Sequence, residues 1–246
     1  MKVKRQFIKG RGLFVTGTDT GVGKTMVAGA IAQQLTRLGL QVGVFKPIAT
    51  GCRSTREGLV SVDAEFLAHC VDSPFSLEQM NPIRYRDPLA PMVATEQAGR
   101  QIDWDTLELA YKNITARSEV VIVEGIGGVM VPITKNYLVL DLMADMNLPV
   151  IIVAGSRLGT INHTLLTINA CRQSKLQIAG IVINGYRADC DDPAQQSNPQ
   201  VIQNMSGIKV LTVMPYETDS CVERGVLADQ VKAAAQLVNW EDLLAV

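Results

Sequence analysis

An apolar run from Leu13 to Thr16 leads into Gly17-Thr-Asp-Thr-Gly-Val-Gly-Lys-Thr25, and a segment with helical periodicity follows. The chemistry that suits this order is phosphate binding. Glycines let backbone N–H groups wrap an anion, the N-terminus of the next helix adds the positive end of its dipole, and Lys24 reaches the β and γ oxygens. Thr25 then offers a hydroxyl to Mg²⁺. The spacing departs from the usual G-x-x-x-x-G-K-[ST], because five residues rather than four separate Gly17 from Gly23. The plainer alternative is a glycine-rich turn that caps a helix.

Val120-Val-Ile-Val-Glu-Gly-Ile-Gly-Gly128 is an apolar strand ending in an acid, where a carboxylate lies near the phosphate loop and can hold Mg²⁺. Glu124 is that candidate, against the alternative of an ordinary solvated strand end. Phe45-Lys-Pro-Ile-Ala-Thr-Gly51 places Lys46 and Thr50 directly after another strand, on the rim where α/β proteins bind ligands. A lysine there is otherwise a solvated charge. Asp63, at the start of a helical segment, reads equally as a helix N-cap. Gly155 to Asn162 joins a strand to a helix N-terminus that could seat a carboxylate. Asn184-Gly185 is either a base-recognising amide or a turn.

These residues need a scaffold that brings strand ends together. Apolar β-rich runs recur at Leu13 to Thr16, Val42 to Phe45, Val120 to Val123, Val150 to Val153, Ile178 to Ile183 and Val210 to Val213. Helical patterning falls between and after them, at Lys24 to Leu38, Asp63 to Cys70, Trp104 to Arg117, Leu138 to Met146, Ile161 to Gln173 and Leu227 to Leu244. The alternation predicts an α/β fold with a mostly parallel central sheet flanked by helices on both faces. Three connections, Pro47 to Val62, the proline-rich Asp72 to Asp103 and the polar Arg187 to Pro199, read as long loops.

At 246 residues the chain suits one such domain, spanning 1–246, with residues 1–12 as an exposed, flexible basic arm. A net charge of −1 supplies no field that would gather nucleic acid or an anionic membrane. No apolar run approaches the ~18 residues of a membrane span. Five scattered cysteines suggest a reducing cytoplasm rather than disulfides, and two histidines leave little material for a zinc site or a Ser-His-Asp triad. Any metal should be held by oxygen.

In combination, GTDTGVGKT, FKPIATG, VDAEFLA, NPI…AP, VVIVEGIGG, GTINHTLLT, IAGIVING and VMPY occur in the order seen in dethiobiotin synthetases. The resemblance runs from about Gly12 to Tyr216, and that family's phosphate loop also carries the extra residue. It implies a Rossmann-like P-loop NTPase fold, a homodimer, and ATP- and Mg²⁺-dependent conversion of 7,8-diaminopelargonic acid and CO2 (as bicarbonate in solution) to dethiobiotin.

Carried over to this chain, the resemblance puts Thr25, Asp63 and Glu124 on Mg²⁺ and makes Lys24 and Lys46 the catalytic cations. Nucleotide would be held by Gly21, Val22, Gly23, Lys24, Thr25 and Met26, by Asp63 and Glu124 to Gly127 (Gly125 and Ile126 between), by Asn184 and Gly185, and by Pro215, Tyr216 and Glu217. Thr20 and Thr50 would meet the diamine or its carbamate, and Thr160, Ile161 and Asn162 its distal carboxylate. The tyrosine that the family often adds from a partner subunit has no counterpart in Asp189 to Asn198. Two rival readings have sequence features against them. A cobyrinic acid amide synthase usually carries a glutaminase domain, for which there is no room; a ParA/MinD-like switch ATPase typically has a lysine early in the phosphate loop, where Thr18 and Asp19 stand here.

Overall fold

The computed structural model describes residues 4–244. The first half of the chain runs β1 (Gly12–Gly17), α1 (Lys24–Arg37), β2 (Val42–Phe45), β3 (Ile48–Ala49), β4 (Arg53–Thr55), β5 (Gly58–Val60), α2 (Val62–Val71), α3 (Leu77–Met80), β6 (Ile83–Arg84), α4 (Pro91–Gln97) and α5 (Trp104–Thr115). The second half runs β7 (Val120–Gly128), β8 (Pro132–Thr134), β9 (Tyr137–Leu138), α6 (Val139–Met146), β10 (Val150–Gly155), α7 (Thr160–Gln173), β11 (Ile178–Tyr186), α8 (Pro193–Ser206), β12 (Val210–Pro215) and α9 (Asp229–Gln236). A 3-10 turn, Glu241–Leu243, follows.

Six strands form one parallel sheet in the order β12-β11-β10-β1-β7-β2. Every residue of β1 is buried, and so is the Val120 to Val123 run of β7. Successive strand residues point to opposite faces, so such runs require both faces to be covered, and the helices cover them. The expected P-loop α/β architecture is therefore the observed one. Because all six strands are parallel, their carboxyl ends share one edge, and the ends of β1, β2, β7, β10, β11 and β12 gather there.

The six strands and five of the helices match the sequence expectation to within a few residues. Gly39, with φ 92°, closes α1 as its position suggested. The long connections differ more. Pro47 to Val62 contains β3 and the β4/β5 hairpin, and Asp72 to Asp103 contains α3, β6 and α4, with Pro91 at the first turn of α4 where its missing N–H costs nothing. β3 pairs in parallel with β6, so the two loops form one small sheet beside the main one. Arg187 to Pro199 is not a loop throughout: α8 begins at Pro193 and carries Pro199 inside it. Prolines and amides hid that helix from a periodicity argument. The C-terminal helix is shorter than expected, since α9 ends at Gln236 and Trp240 folds back, buried, with Nε1 donating to the Ala235 carbonyl at 2.8 Å.

Of the basic N-terminal segment, residues 1–3 lie outside the described residues. The Arg5 N–H donates to Asp145 at 2.8 Å, its guanidinium lies 4.3 Å from the Trp104 ring centroid, and Phe7 meets Tyr111 edge-on. The segment is pinned to the body over these residues.

Candidate active site

The sharp turn between β1 and α1 is made by Gly21 and Gly23, at φ 76° and 89°, a left-handed region open to glycine. Gly23 also has no room for a side chain, because a Cβ there would stand 2.1 Å from Nδ2 of Asn184. That amide donates to the Val22 carbonyl at 3.0 Å and braces the phosphate loop from β11. Lys24 opens α1 and curls back, donating to the Asp19 carbonyl at 2.9 Å. Burial, and then the Lys46 ammonium, lower its pKa from the ordinary lysine value to about 8.

Lys46 follows β2 and is almost wholly buried, at 3% exposed. Its backbone is clamped on both sides: its N–H donates to the Met80 carbonyl at 2.8 Å, and its own carbonyl accepts from Asn81 at 2.6 Å. The long Asp72 to Asp103 connection thus fixes the lysine's position. Its Nζ donates to Glu124 at 2.6 Å and to the Gly125 carbonyl at 3.2 Å, and pairs with Asp63 at 2.8 Å. Burial disfavours a charge there, yet the two carboxylates outweigh it and raise the Lys46 pKa. Asp63 responds in the matching sense: burial alone would raise it, but Lys46 holds it below the usual carboxylate value. Glu124, 1% exposed, is pushed up by burial against the pull of Lys46.

Asp63 is not the N-cap of α2. Ser61 is, its hydroxyl accepting from the Ala64 N–H at 3.4 Å, which leaves the Asp63 carboxylate free to turn toward Lys46. The Thr25 hydroxyl donates to Oε1 of Glu124 at 2.8 Å, while Oε2 is buried without a partner. Among the described residues no group of three or more His, Cys, Asp or Glu is placed to hold a metal. Two carboxylates and a hydroxyl do converge, all hard oxygen donors. Mg²⁺ usually takes one or two carboxylates and fills its octahedron with phosphate and water oxygens, so Thr25, Asp63 and Glu124, with the orphaned Oε2, fit that ion.

These groups open on a cleft of about 970 Å³ along the carboxyl edge of the sheet. Thr20 to Met26, Lys46, Thr50, Asp63, Glu124, Ile126, Gly127, Thr160, Asn184, Gly185 and Pro215 to Glu217 all line it. Three sequence candidates do not. Gly125 contributes a carbonyl behind the wall; Ile161 packs toward the core and Asn162 faces solvent on α7. Helical rotation explains the last two, since successive residues lie about 100° apart and, of residues 160–162, Thr160 is the one that points into the cleft. Its hydroxyl is buried there without a partner. Arg157, His163 and Arg187 also line the cleft, and sequence reasoning missed them. The Arg187 guanidinium sits 3.9 Å from the Tyr216 ring centroid. Its signal was available, because it lies just beyond the end of β11.

A family model described as "AAA domain" matches residues 11–224. The chain is 39% identical over 215 residues to an ATP-dependent dethiobiotin synthetase of Thermodesulfovibrio yellowstonii, covering 85% of this chain and 90% of that protein. With the same kind of enzyme from Aquifex aeolicus it is 39% identical over 222 residues, covering 89% and 96%. Among solved structures, the Pyrococcus furiosus cell division ATPase MinD superposes with a TM-score of 0.57 at 16% identity, over 93% of this chain and 96% of that one. A ParA family ATPase from Chlorobium tepidum gives 0.55 at 13%, over 94% and 98%. At such identities the two ATPases share the fold alone.

Proposed function

Because this chain belongs to the family of ATP-dependent dethiobiotin synthetases, we propose that it closes a cyclic urea on 7,8-diaminopelargonic acid with CO2, releasing ADP and phosphate. It is an ATP-dependent ligase of biotin biosynthesis with small-molecule substrates. The observation that carries the reaction proposal is the buried Lys46 ammonium, held 2.6 Å from Glu124 and 2.8 Å from Asp63, on the same cleft as Lys24 and the phosphate loop.

One amine of the substrate takes up CO2 and loses a proton to become a carbamate. A carbamate oxygen attacks the γ-phosphorus and ADP leaves, giving a carbamic-phosphoric mixed anhydride. The second amine attacks the carbonyl carbon, expels phosphate and closes the ring. No covalent enzyme intermediate is required, so the difficulty is bringing two anions together in line. Lys24, anchored on the Asp19 carbonyl, is placed to follow the β and γ phosphates; Lys46 is placed to meet the carbamate and the transferring group. An ammonium about 4 Å from an anion, at an effective dielectric near 20, contributes roughly 4 kcal/mol, the magnitude such a step needs. Thr25, Asp63 and Glu124 would hold Mg²⁺, which supplies charge neutralisation to the phosphates when bound. Thr50 would contact the carbamate side, Asn184 and Pro215 to Glu217 the base, and Thr160 the distal carboxylate.

The chain is proposed to work as one catalytic domain in a two-fold homodimer in the cytoplasm. The family resemblance drawn from the sequence motivates the dimer, and closed two-fold dimers are the commonest soluble oligomers. ATP turnover with bicarbonate, with and without 7,8-diaminopelargonate, tests the activity when the cyclic urea is followed by mass. Diamine-dependent phosphate release with dethiobiotin formation is expected, and phosphate release indifferent to the diamine would overturn the proposal.

A further inference from the structure

α8 is short of apolar residues, yet two of its amides are buried more deeply than most of its aliphatic side chains. Gln195 is 4% exposed and Asn198 2%, and their i, i+3 spacing puts them on one face, turned toward the sheet edge. Neither enters the cleft. Oε1 of Gln195 accepts from the Arg187 N–H at 2.9 Å and lies 3.1 Å from the Ser156 hydroxyl. That hydroxyl also lies 2.8 Å from the Gly185 carbonyl, and its single proton favours the shorter contact. Nδ2 of Asn198 donates to the Ser156 carbonyl at 2.9 Å and to the Arg157 carbonyl at 3.3 Å, so both of its protons are used. Every one of these bonds reaches one of two loops. The first follows β10 and carries Arg157 and Leu158 into Thr160; the second begins at the end of β11, with Asn184 and Gly185, and runs on into Arg187, which stacks on Tyr216.

A pair of buried amides that binds only loop backbone and one loop hydroxyl has little purpose as core packing, where apolar side chains would serve without hydrogen-bonding demands. We propose that Gln195 and Asn198 are positioning residues: together with Ser156 they lock the loop on the substrate side of the cleft to the loop on the nucleobase side. This rests on the synthetase reading for which ligand each loop meets. The two amides do opposite jobs, Gln195 as acceptor and Asn198 as donor, so their acid isosteres should behave oppositely. Glutamate at 195 keeps the bond accepted from the Arg187 N–H and can draw the Ser156 proton to itself. Aspartate at 198 replaces two donated protons with a carboxylate facing two carbonyl oxygens.

The test is steady-state kinetics of Gln195→Met, Gln195→Glu and Asn198→Asp, with ADP affinity measured separately in the absence of diamine. Gln195→Met should raise the KM for both ATP and diamine, and the Kd for ADP, by about tenfold, the effect of leaving a buried group unpaired, with kcat changed less. Gln195→Glu should return each constant to within about threefold of the wild type. Asn198→Asp should raise the diamine KM more than the ATP KM. The proposal is overturned if Gln195→Glu is as damaging as Gln195→Met, or if both variants lose only melting temperature with KM unchanged. Should Asn198→Asp fail to fold, the two Gln195 variants decide alone. A wild type that ignores the diamine would remove the synthetase reading, whereas the ADP affinities of the Gln195 pair would still decide whether the bridge positions the nucleobase loop.

Discussion

On the β7 and β2 side of the central strand β1, the cleft is built around buried charge: Lys46 within ion-pair distance of the buried Glu124 and of the half-buried Asp63, with the buried Lys24 nearby. On the β10, β11 and β12 side the polar groups that brace the cleft are neutral: Asn184 of β11 against the phosphate loop, Ser156 buried at the wall, and Gln195 and Asn198 buried behind it, while the charged Arg157, Arg187 and Glu217 line the cleft without being buried. Buried charges are costly to desolvate and are tolerated only where partners hold them. Their confinement to one half places the strong field where a phosphoryl group would move. Fixed dipoles in the other half can hold a ligand without competing for that field. The difference predicts that substitutions on the charged side alter rate and metal response, while those on the neutral side alter affinity.

Removing Lys46 should have the largest effect. Lys46→Ala takes a preorganised cation from the transition state and is expected to lower kcat by about 100-fold or more. Nucleotide affinity should fall less, because Lys24 and the loop amides remain. Lys46→Arg should rescue poorly, since a planar fork does not fit where a compact ammonium sits between Glu124 and Asp63. Steady-state kinetics with separate nucleotide titration checks both. Near-normal kcat would dissolve the contrast between the two halves.

The neutral side is probed next by Gly23→Ala. The new Cβ meets Asn184 Nδ2 and must also adopt φ near 89°, so the amide has to leave the Val22 carbonyl and the loop shifts. Nucleotide affinity should fall by about tenfold or more, at ~1–2 kcal/mol of backbone strain plus the lost brace. Adding Asn184→Ala relieves the clash but not the strain, so recovery should be partial. Full recovery, by titration calorimetry, would show that sterics alone set this glycine.

How far the sequence reached follows the same division. The phosphate loop, Glu124 and Lys46 were legible because parallel strands put their following residues on one edge, and the strands announce themselves by apolar runs. Lys46 had a solvated-charge alternative that only the clamp by Met80 and Asn81 removes, and that clamp depends on a pairing of β3 with β6 that no local pattern encodes. Gln195 and Asn198 were invisible for a different reason. They lie in a stretch whose prolines and polar composition argue against a helix, and a buried amide looks in sequence like a surface one. Asp63 was read two ways, and the choice hung on whether the cap of α2 lies two residues earlier, at Ser61.

That choice yields the third test. Asp63→Asn should raise the Mg²⁺ concentration for half-maximal activity by about tenfold, while the melting temperature holds, because the cap of α2 is untouched. Ser61→Ala should do the reverse, lowering stability by about 1 kcal/mol with an unchanged metal response. Metal titrations and thermal melts of the two variants separate the roles. If Asp63→Asn lowers only the melting temperature, its carboxylate belongs to the helix and not to the charged half.

The smallest effect expected is a fraction of a proton on Lys24. Burial and the neighbouring Lys46 lower its pKa in the free protein to about 8, below the ordinary 10.5. For a base whose folded value is depressed, the unfolded chain binds more protons between pH 8 and 10.5, so this group makes folding more favourable as pH rises through that window. Nucleotide acts in the opposite sense. Phosphates beside Lys24 favour its charged form and raise its pKa, so binding at pH 8 should take up about half a proton, and almost none at pH 6.5. Calorimetric titration in two buffers of different ionisation enthalpy measures that uptake directly. Lys46→Met should shrink it, because removing the second cation lets Lys24 keep its proton in the free protein. Equal uptake in both proteins would mean that burial alone sets the Lys24 charge, and zero uptake in the wild type would mean that Lys24 is fully charged before any nucleotide arrives.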